Sequence, residues 1–500
     1  MRHAQIGFRR AVLLLAVGAA IAGCTTTTIP LTEIEVPVPK IPLPEIPLFK
    51  RGAGDFQQAS WTEAFDKLHQ QLAREYPFTE WKSIDWNVLY AEYAPQIAEA
   101  QEAEDAAAYY TALRGYLFSI PDGNIHIDMA PEYMRAAIGG TYGFSVLPLE
   151  DGRLVVYRVK DGGPAARIGM AWGAELLEWN GAPARAAVSQ VPVLWAHSPP
   201  ATDTQLFLDQ CRYLTRAPVN EEVQVMFRNP DSDTPWVATL RAEADEYVAK
   251  RYAMRYERDF SEFEAPIETR TLDSGAGYMA VYFEAPTVRM PFPGRAFRKA
   301  LARFLEDDAP GLILDLRGNA GGDHAIAAEF LGHFFTEALH YCDVHVYVQE
   351  AERFLVDPEL TVTVTPREPH WDRPLVVLVH NSTIGAGEGM ARLLARLPNA
   401  RVLGLRPTGA TFAVTGGEVT MPEDHVLYYP VGRMTGPDGK ILLESNAAGQ
   451  GGVAPDLRPP ITLDTLEVHF RQDEDVLLRR AQELIAETEA AGPVETQAPE

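Results

Sequence analysis

The sequence predicts a multidomain α/β protein, with a helical N-terminal domain, a β-rich middle and a C-terminal α/β core. Three observations carry this. Twice in the C-terminal half, a run of branched apolar residues ends in a glycine turn and passes into helical spacing. The first is Gly311-Leu312-Ile313-Leu314-Asp315-Leu316 with helix over 325–335; the second is Leu375-Val376-Val377-Leu378-Val379 with helix over 388–397. Without alternation, such runs read as strands buried on both faces of a sheet. Near the N-terminus, Ser60-Trp61-Thr62-Glu63 is a capping box that sets Trp61, Phe65, Leu68 and Leu72 on one helical face. Between these regions, strand-like runs alternate with glycine turns.

The first 23 residues read as a targeting signal. Arg9-Arg10 precede the apolar run Ala11–Ala22, which is too short to span a bilayer comfortably. It ends in Ile21-Ala22-Gly23-Cys24, similar to a bacterial lipobox, which would make Cys24 the lipidated first residue. Residues 24–54 read as a tether. Pro30, Pro37, Pro39, Pro42, Pro44 and Pro47 disfavour helix, so the segment is expected to be extended, reaching roughly 90 Å.

Residues 55–137 read as the helical domain. Helices are expected from Ser60, through 86–108 and through 109–118, followed by a turn at Asp122-Gly123-Asn124 and a strand through His126. Over 138–245, the run Gly162-Gly163-Pro164-Ala165-Ala166-Arg167-Ile168-Gly169-Met170 precedes Gly173-Ala174-Glu175-Leu176-Leu177-Glu178-Trp179-Asn180-Gly181. This resembles the turn, short helix, turn and strand of a PDZ domain. In that resemblance Tyr142-Gly143-Phe144-Ser145 is the loop whose amides take a peptide carboxylate, beside a strand edge that adds the peptide. A charged connector (246–275) leads to the core (276–470), and a helix and acidic tail (471–500) close the chain.

Of the 500 residues, 46% are hydrophobic and 23% charged, an ordinary globular composition. Net charge is −25, and removing Arg2, Arg9 and Arg10 with the signal leaves it near −28. A surface this acidic argues against nucleic acid or anionic lipid as partner. Export permits a Cys211–Cys342 disulfide, although two isolated cysteines are more often separate buried thiols. No HExxH, Walker loop, CxxC pair, GxSxG elbow or GxGxxG fingerprint occurs, and no metal or cofactor is expected.

Three motifs, in this order behind the PDZ-like region, resemble the tail-specific, or C-terminal-processing, serine proteases: Leu314–Gly322, Leu375–Glu388 and Gly452-Val453-Ala454-Pro455-Asp456. The likeness covers most of residues 60–470 and is closer to the tricorn-like branch than to the Ser-Lys branch. It implies a core of ClpP/crotonase-like fold. In active relatives the position three before the motif glutamate is the nucleophilic serine; here the glutamate is Glu388 and that position is Gly385. In the tricorn-like branch a histidine base follows Asp-Gly; here Asp122-Gly123 is followed by Asn124. In the Ser-Lys branch a lysine follows a Pro-Thr turn; here Pro407-Thr408-Gly409 leads to Ala410.

Serine attack needs an oxygen whose proton a base removes. Glycine has no oxygen, and asparagine does not exchange a proton near neutral pH. Loss of such a group costs about 10⁶ in kcat in a reference serine protease. By the resemblance, oxyanion donors would survive as backbone amides of Gly321, Gly322 and Ala386. Candidate substitutes are Ser382 or Thr383 as nucleophile and His126, two residues past Asn124 on a strand, as base. His380 and His324 flank the expected cleft as polar turn residues. The leading expectation is a cell-envelope lipoprotein facing the periplasm, anchored in the outer rather than the inner membrane. It would be catalytically degenerate, touching membrane only through its lipid, and would bind extended peptides or protein C-termini as adaptor or regulator. The alternatives are an active endopeptidase using Ser382 or Thr383 with His126, and a purely structural assembly component.

Overall fold

A computed structural model describes residues 53–247 and 263–491. The expected signal, Cys24, nearly all of the tether, most of the expected connector helix and the final tail residues lie outside the described residues.

The chain first forms β1 (Ala53–Asp55), so the last two residues assigned to the tether are part of a sheet. Helix α1 (Trp61–Glu75) starts where the Ser60 hydroxyl accepts from the Glu63 amide. The stretch 86–118 holds α2 (Trp86–Glu102) and α3 (Ala106–Phe118). The break comes earlier than the apolar spacing suggests, because Asp105 caps α3 through the amides of Ala107 and Ala108. Strand β2 (His126–Ile127) is short, and Asn124 lies in the turn before it.

In the middle of the chain, β3 (Phe144–Pro148), β4 (Leu154–Val159) and β5 (Glu175–Trp179) precede α4 (Asp203–Leu214), β6 (Glu222–Arg228) and β7 (Trp236–Arg241). The main strand order is β7-β6-β5-β4-β3, which leaves β3 at the edge beside α4. Cys211 on α4 and Cys342 are buried free thiols, as the isolated spacing favoured.

The core sheet begins inside the expected connector. Strand β8 (Ile267–Thr271) pairs antiparallel with β9 (Gly277–Val281). It escapes a sequence reading because only Ile267 of its five residues is buried. Helix α5 (Pro293–Glu306), β10 (Leu312–Asp315) and α6 (His324–Leu331) follow. Then come β11 (Leu339–Val348), β12 (Val362–Val364), β13 (Leu375–Val379), α7 (Ala386–Leu394) and β14 (Ala400–Gly404). The sheet order is β8-β9-β10-β13-β14, parallel from β9 onward.

Every residue of β10 and β13 is buried. Leu312, Leu314, Leu375, Val377 and Val379 pack under α5, α6 and α7 with Phe297, Phe330 and Met390. Ile313, Val376 and Leu378 face the opposite side, where Leu477, Ala481 and Ile485 of the C-terminal helix cover them. This two-sided burial is why the strands read as continuous apolar runs. Strands β15 (Ala413–Val414), β16 (Gly417–Thr420), β17 (Val426–Tyr429) and β18 (Gly432–Thr435) complete the core. Of these, β16 and β17 form one sheet with β1 and β2, and the N-terminal helices share a core with Val419, Leu427 and Tyr429. Helices α8 (Leu463–Phe470) and α9 (Val476–Ala491) end the described chain.

Because β10 and β13 are adjacent and parallel, the loops leaving their C-terminal ends are neighbours, the usual place for a site in such sheets. The cover over the far face is testable. Leu477→Ala is expected to cost about 2–5 kcal/mol in urea unfolding; a cost within experimental error would mean that α9 does not seal the sheet.

Candidate active site

The turn after β13 is held by a buried carboxylate. Gly385 precedes α7 with φ +54° and ψ −123°, a conformation that strains any L side chain. Its amide donates to Glu388 Oε2 at 3.2 Å and to the Thr411 carbonyl at 3.2 Å. Glu388 also accepts from the Thr408 hydroxyl at 2.6 Å and from the amides of Ala410 and Thr411 at 2.8 and 2.9 Å. Burial pushes its carboxyl up to about 7, against the pull of these four donors. Glu388 thus joins the turn to the 408–411 loop without using any side chain at position 385.

The glycine turn after β10 lies against this one. A Cβ placed on Gly385 would meet only Gly321 Cα, at 3.3 Å. Of the three expected oxyanion amides, Gly321 is not free: Asn319 folds back so that its Oδ1 accepts from the Gly321 amide at 2.9 Å. Asn319 Nδ2 in turn donates to Val281 O and to Glu284 Oε1, at 2.9 and 2.8 Å. The amides of Gly322 and Ala386 have no acceptor among the described residues.

Asn124 stands close by. Its Nδ2 donates to Asp122 Oδ1 at 2.9 Å and reaches Glu444 Oε2 at 3.5 Å. Gly123 packs on Thr411, where an added Cβ would lie 2.3 Å from the threonine methyl. The fully buried Glu444 also accepts from the Phe412 amide at 2.7 Å and from Lys82 Nζ at 2.9 Å. Lys82 donates further to Pro121 O at 2.9 Å and Ser445 Oγ at 2.5 Å. Burial pushes the Glu444 carboxyl up and the Lys82 ammonium pulls it back. In a hydrolytic triad a carboxylate orients the base; here Glu444 faces an amide and a lysine. Sequence reading missed both Glu444 and Lys82. The one available signal was a lone acid after Leu442-Leu443; Lys82 gave none.

The candidate substitutes are placed elsewhere. His126 pairs with Tyr428 across two strands and stacks on it, with ring centroids 4.5 Å apart. Burial, His197 and Arg114 hold its imidazole down to about 4. Asn124 and His126 do not share a strand face, because Asp122 Oδ1 accepts from the Asn124 amide and keeps that residue in the turn. The Thr383 hydroxyl donates to Leu316 O at 2.6 Å and accepts from the His380 amide. Ser382 Oγ lies 2.9 Å from His380 Nδ1, so its partner is His380 and not His126. The Ser382 amide also points at that nitrogen, at 3.3 Å, which is the geometry of a local turn cap. Ala410 is fully buried with φ +58°, its amide bound to Glu388. His324 opens α6, with Nδ1 3.1 Å from the Tyr341 hydroxyl.

In the middle of the chain, the Tyr142 amide donates to Thr215 O at 3.2 Å and the Gly143 amide to Thr141 Oγ1 at 3.1 Å. Two amides expected to await a carboxylate are therefore engaged. Tyr142 and Phe144 are buried against Trp179, and Ser145 sits at a bulge in β3.

Residues 288–458 match the model of peptidase family S41, and residues 57–108 match that of the tricorn protease C1 domain. Residues 288–458 are thus similar to that peptidase family. No curated protein sequence matches the chain. Its fold is similar to that of mature CPAF complexed with lactacystin, at 13% identity and TM-score 0.62 over 86% of this chain and 99% of that one. Mature CPAF alone gives 14% identity and TM-score 0.62 over 87% and 98%. The matched residues 288–458 include both glycine turns of the site, Gly385 among them.

Lys82→Met is expected to destabilise the protein by about 3–5 kcal/mol near pH 8, because it strands a buried carboxylate. Without the ammonium the Glu444 carboxyl rises further. A raised acid loses stability as pH climbs through its folded value, so the deficit should shrink toward about pH 5. An equal deficit at both pH values in urea melts would contradict the pairing.

Proposed function

We propose that this S41-fold protein is a catalytically degenerate peptide-binding protein, acting as adaptor or regulator in the cell envelope. Its ligand is an extended peptide or protein C-terminus. The observation that carries the reading is Gly385 itself. It takes up a strained turn at the head of α7, beside two free amides, with no hydroxyl to attack. Asn124 beside Glu444 supplies no proton acceptor. The middle domain is read as PDZ-like, with β3 at a sheet edge beside α4, a geometry suited to strand addition. The lipobox-like Ile21-Ala22-Gly23-Cys24 supports a periplasm-facing lipoprotein, in the outer rather than the inner membrane, that meets membrane only through its anchor. Acidity argues against a nucleic-acid partner.

A second reading, an active peptidase with a relocated nucleophile, is favoured by the Ser382–His380 contact. It is the weaker of the two. Burial and nearby arginines hold the His380 imidazole down to about 3, too poor a base to take a serine proton near neutral pH.

Incubating the purified chain with unstructured peptides and following products by mass spectrometry separates the readings. The expected outcome is binding without cleavage and no fluorophosphonate labelling. Cleavage, or labelling that Ser382→Ala abolishes, would establish the second reading.

A further inference from the structure

The core sheet ends at an open edge. Strand β8 pairs with β9 on one side and, among the described residues, with no strand on the other. Two flanking bonds fix which way its backbone faces. The Leu272 amide donates to the Ala276 carbonyl and the Tyr282 amide to the Pro266 carbonyl, both at 2.9 Å, and the register between them runs without a shift. Hydrogen-bonded pairs alternate along an antiparallel ladder. Residues 266, 268, 270 and 272 therefore turn their backbone polar groups toward β9. Ile267, Thr269 and Thr271 turn theirs outward, where no described residue bonds them. Such a row is a template for another strand.

The side chains decide which strand fits. Glu268 and Arg270 are both exposed and lie on one face: Glu268 Oε2 accepts from the Tyr282 hydroxyl at 2.7 Å, and the Arg270 guanidinium sits 4.5 Å over the Tyr278 ring. Let a second copy of β8 pair antiparallel about a two-fold axis at Thr269. The outward groups of Ile267, Thr269 and Thr271 then meet those of Thr271, Thr269 and Ile267 in about six hydrogen bonds. Glu268 stands opposite Arg270 of the second copy, twice, in the pairs where side chains approach most closely. An axis at Glu268 or at Arg270 would instead set like charges face to face. On the other face, Arg303 reaches Thr271 Oγ1 at 3.2 Å and is balanced by Asp307 at 3.4 Å, so it brings no bare charge to the axis.

Apolar surface gathers at the same edge. Phe263, Val288 and Phe292, at 61%, 66% and 69%, are the most exposed large apolar side chains among the described residues. In sequence they flank Glu264, Arg289 and Met290, which line a cavity of about 540 Å³ with Ala265, Ile267 and Glu268, where β8 begins. The two-fold at Thr269 brings the 272–275 turn of the second copy to that cavity. We propose that β8 is a self-association edge, at which two copies of this chain join their five-stranded sheets into one.

Sedimentation velocity of the purified chain over a concentration series tests this, alongside E268R, R270E and an equal mixture of the two. The unaltered chain is expected to dimerise reversibly. Each variant alone sets like charges opposite one another and should weaken the dimer roughly tenfold or more. Mixed, the two should form a heterodimer, because an all-basic edge then meets an all-acidic one; mixing would not repair a misfolded variant. Thr269→Pro removes an amide that faces outward, leaves the β8–β9 ladder intact and should also prevent pairing. A chain that stays monomeric throughout, a dimer that all three variants leave unchanged, or single variants that mixing does not rescue would overturn the proposal.

Discussion

The site depends on the Glu388 carboxylate. Its two oxygens take four donors, three of them backbone amides, and so fix the turn at Gly385 against the 408–411 loop. None of these contacts needs a side chain at 385. The turn can therefore hold its shape with glycine at 385. Glycine also relieves the strain of φ +54°, a conformation costing other residues of order 1–3 kcal/mol. The parallel pairing of β10 with β13 then sets the Gly321–Gly322 turn alongside. Together the two turns form a polar cradle with no side chain at position 385.

The electrostatics on the other side centre on a second buried carboxyl group, Glu444. A buried carboxylate beside an imidazole can share a charge with it; beside asparagine it cannot. Glu444 finds its cation in Lys82, which arrives from the turn between α1 and α2 and also binds Pro121 and Ser445. The helical N-terminal region thus supplies a charge to the centre of the C-terminal core. The shared sheet of β1, β16, β17 and β2 holds the two parts together around that contact.

Much of the core was legible. The unbroken apolar runs at 312–316 and 375–379 announced strands buried on both faces, and the glycine turns announced where those strands end. Gly385 and Asn124 could be located because the motifs around them are intact. The losses have physical reasons. Strand β8 buries one residue, so its period is invisible. The break before α3 was written in Asp105, a capping residue overshadowed by the apolar spacing around it. Asn319 lies inside the first motif, yet its capture of the Gly321 amide is a side-chain choice that spacing does not show, and Lys82 reaches Glu444 from outside every motif. Ser382 was singled out as a substitute nucleophile with His126 as base, and its hydrogen-bond partner is instead His380, two residues away on its own turn.

The central claim is that donors persist where no oxygen attacks. Paired affinities test it most directly: one apolar peptide ending in an aldehyde, and the same peptide ending in an amide. An attacking serine would form a hemiacetal and tighten the aldehyde by roughly a hundredfold or more, as transition-state mimics do. The two ligands are expected to bind this chain with the same affinity. A large aldehyde preference, with a covalent adduct in the bound complex, would contradict the claim.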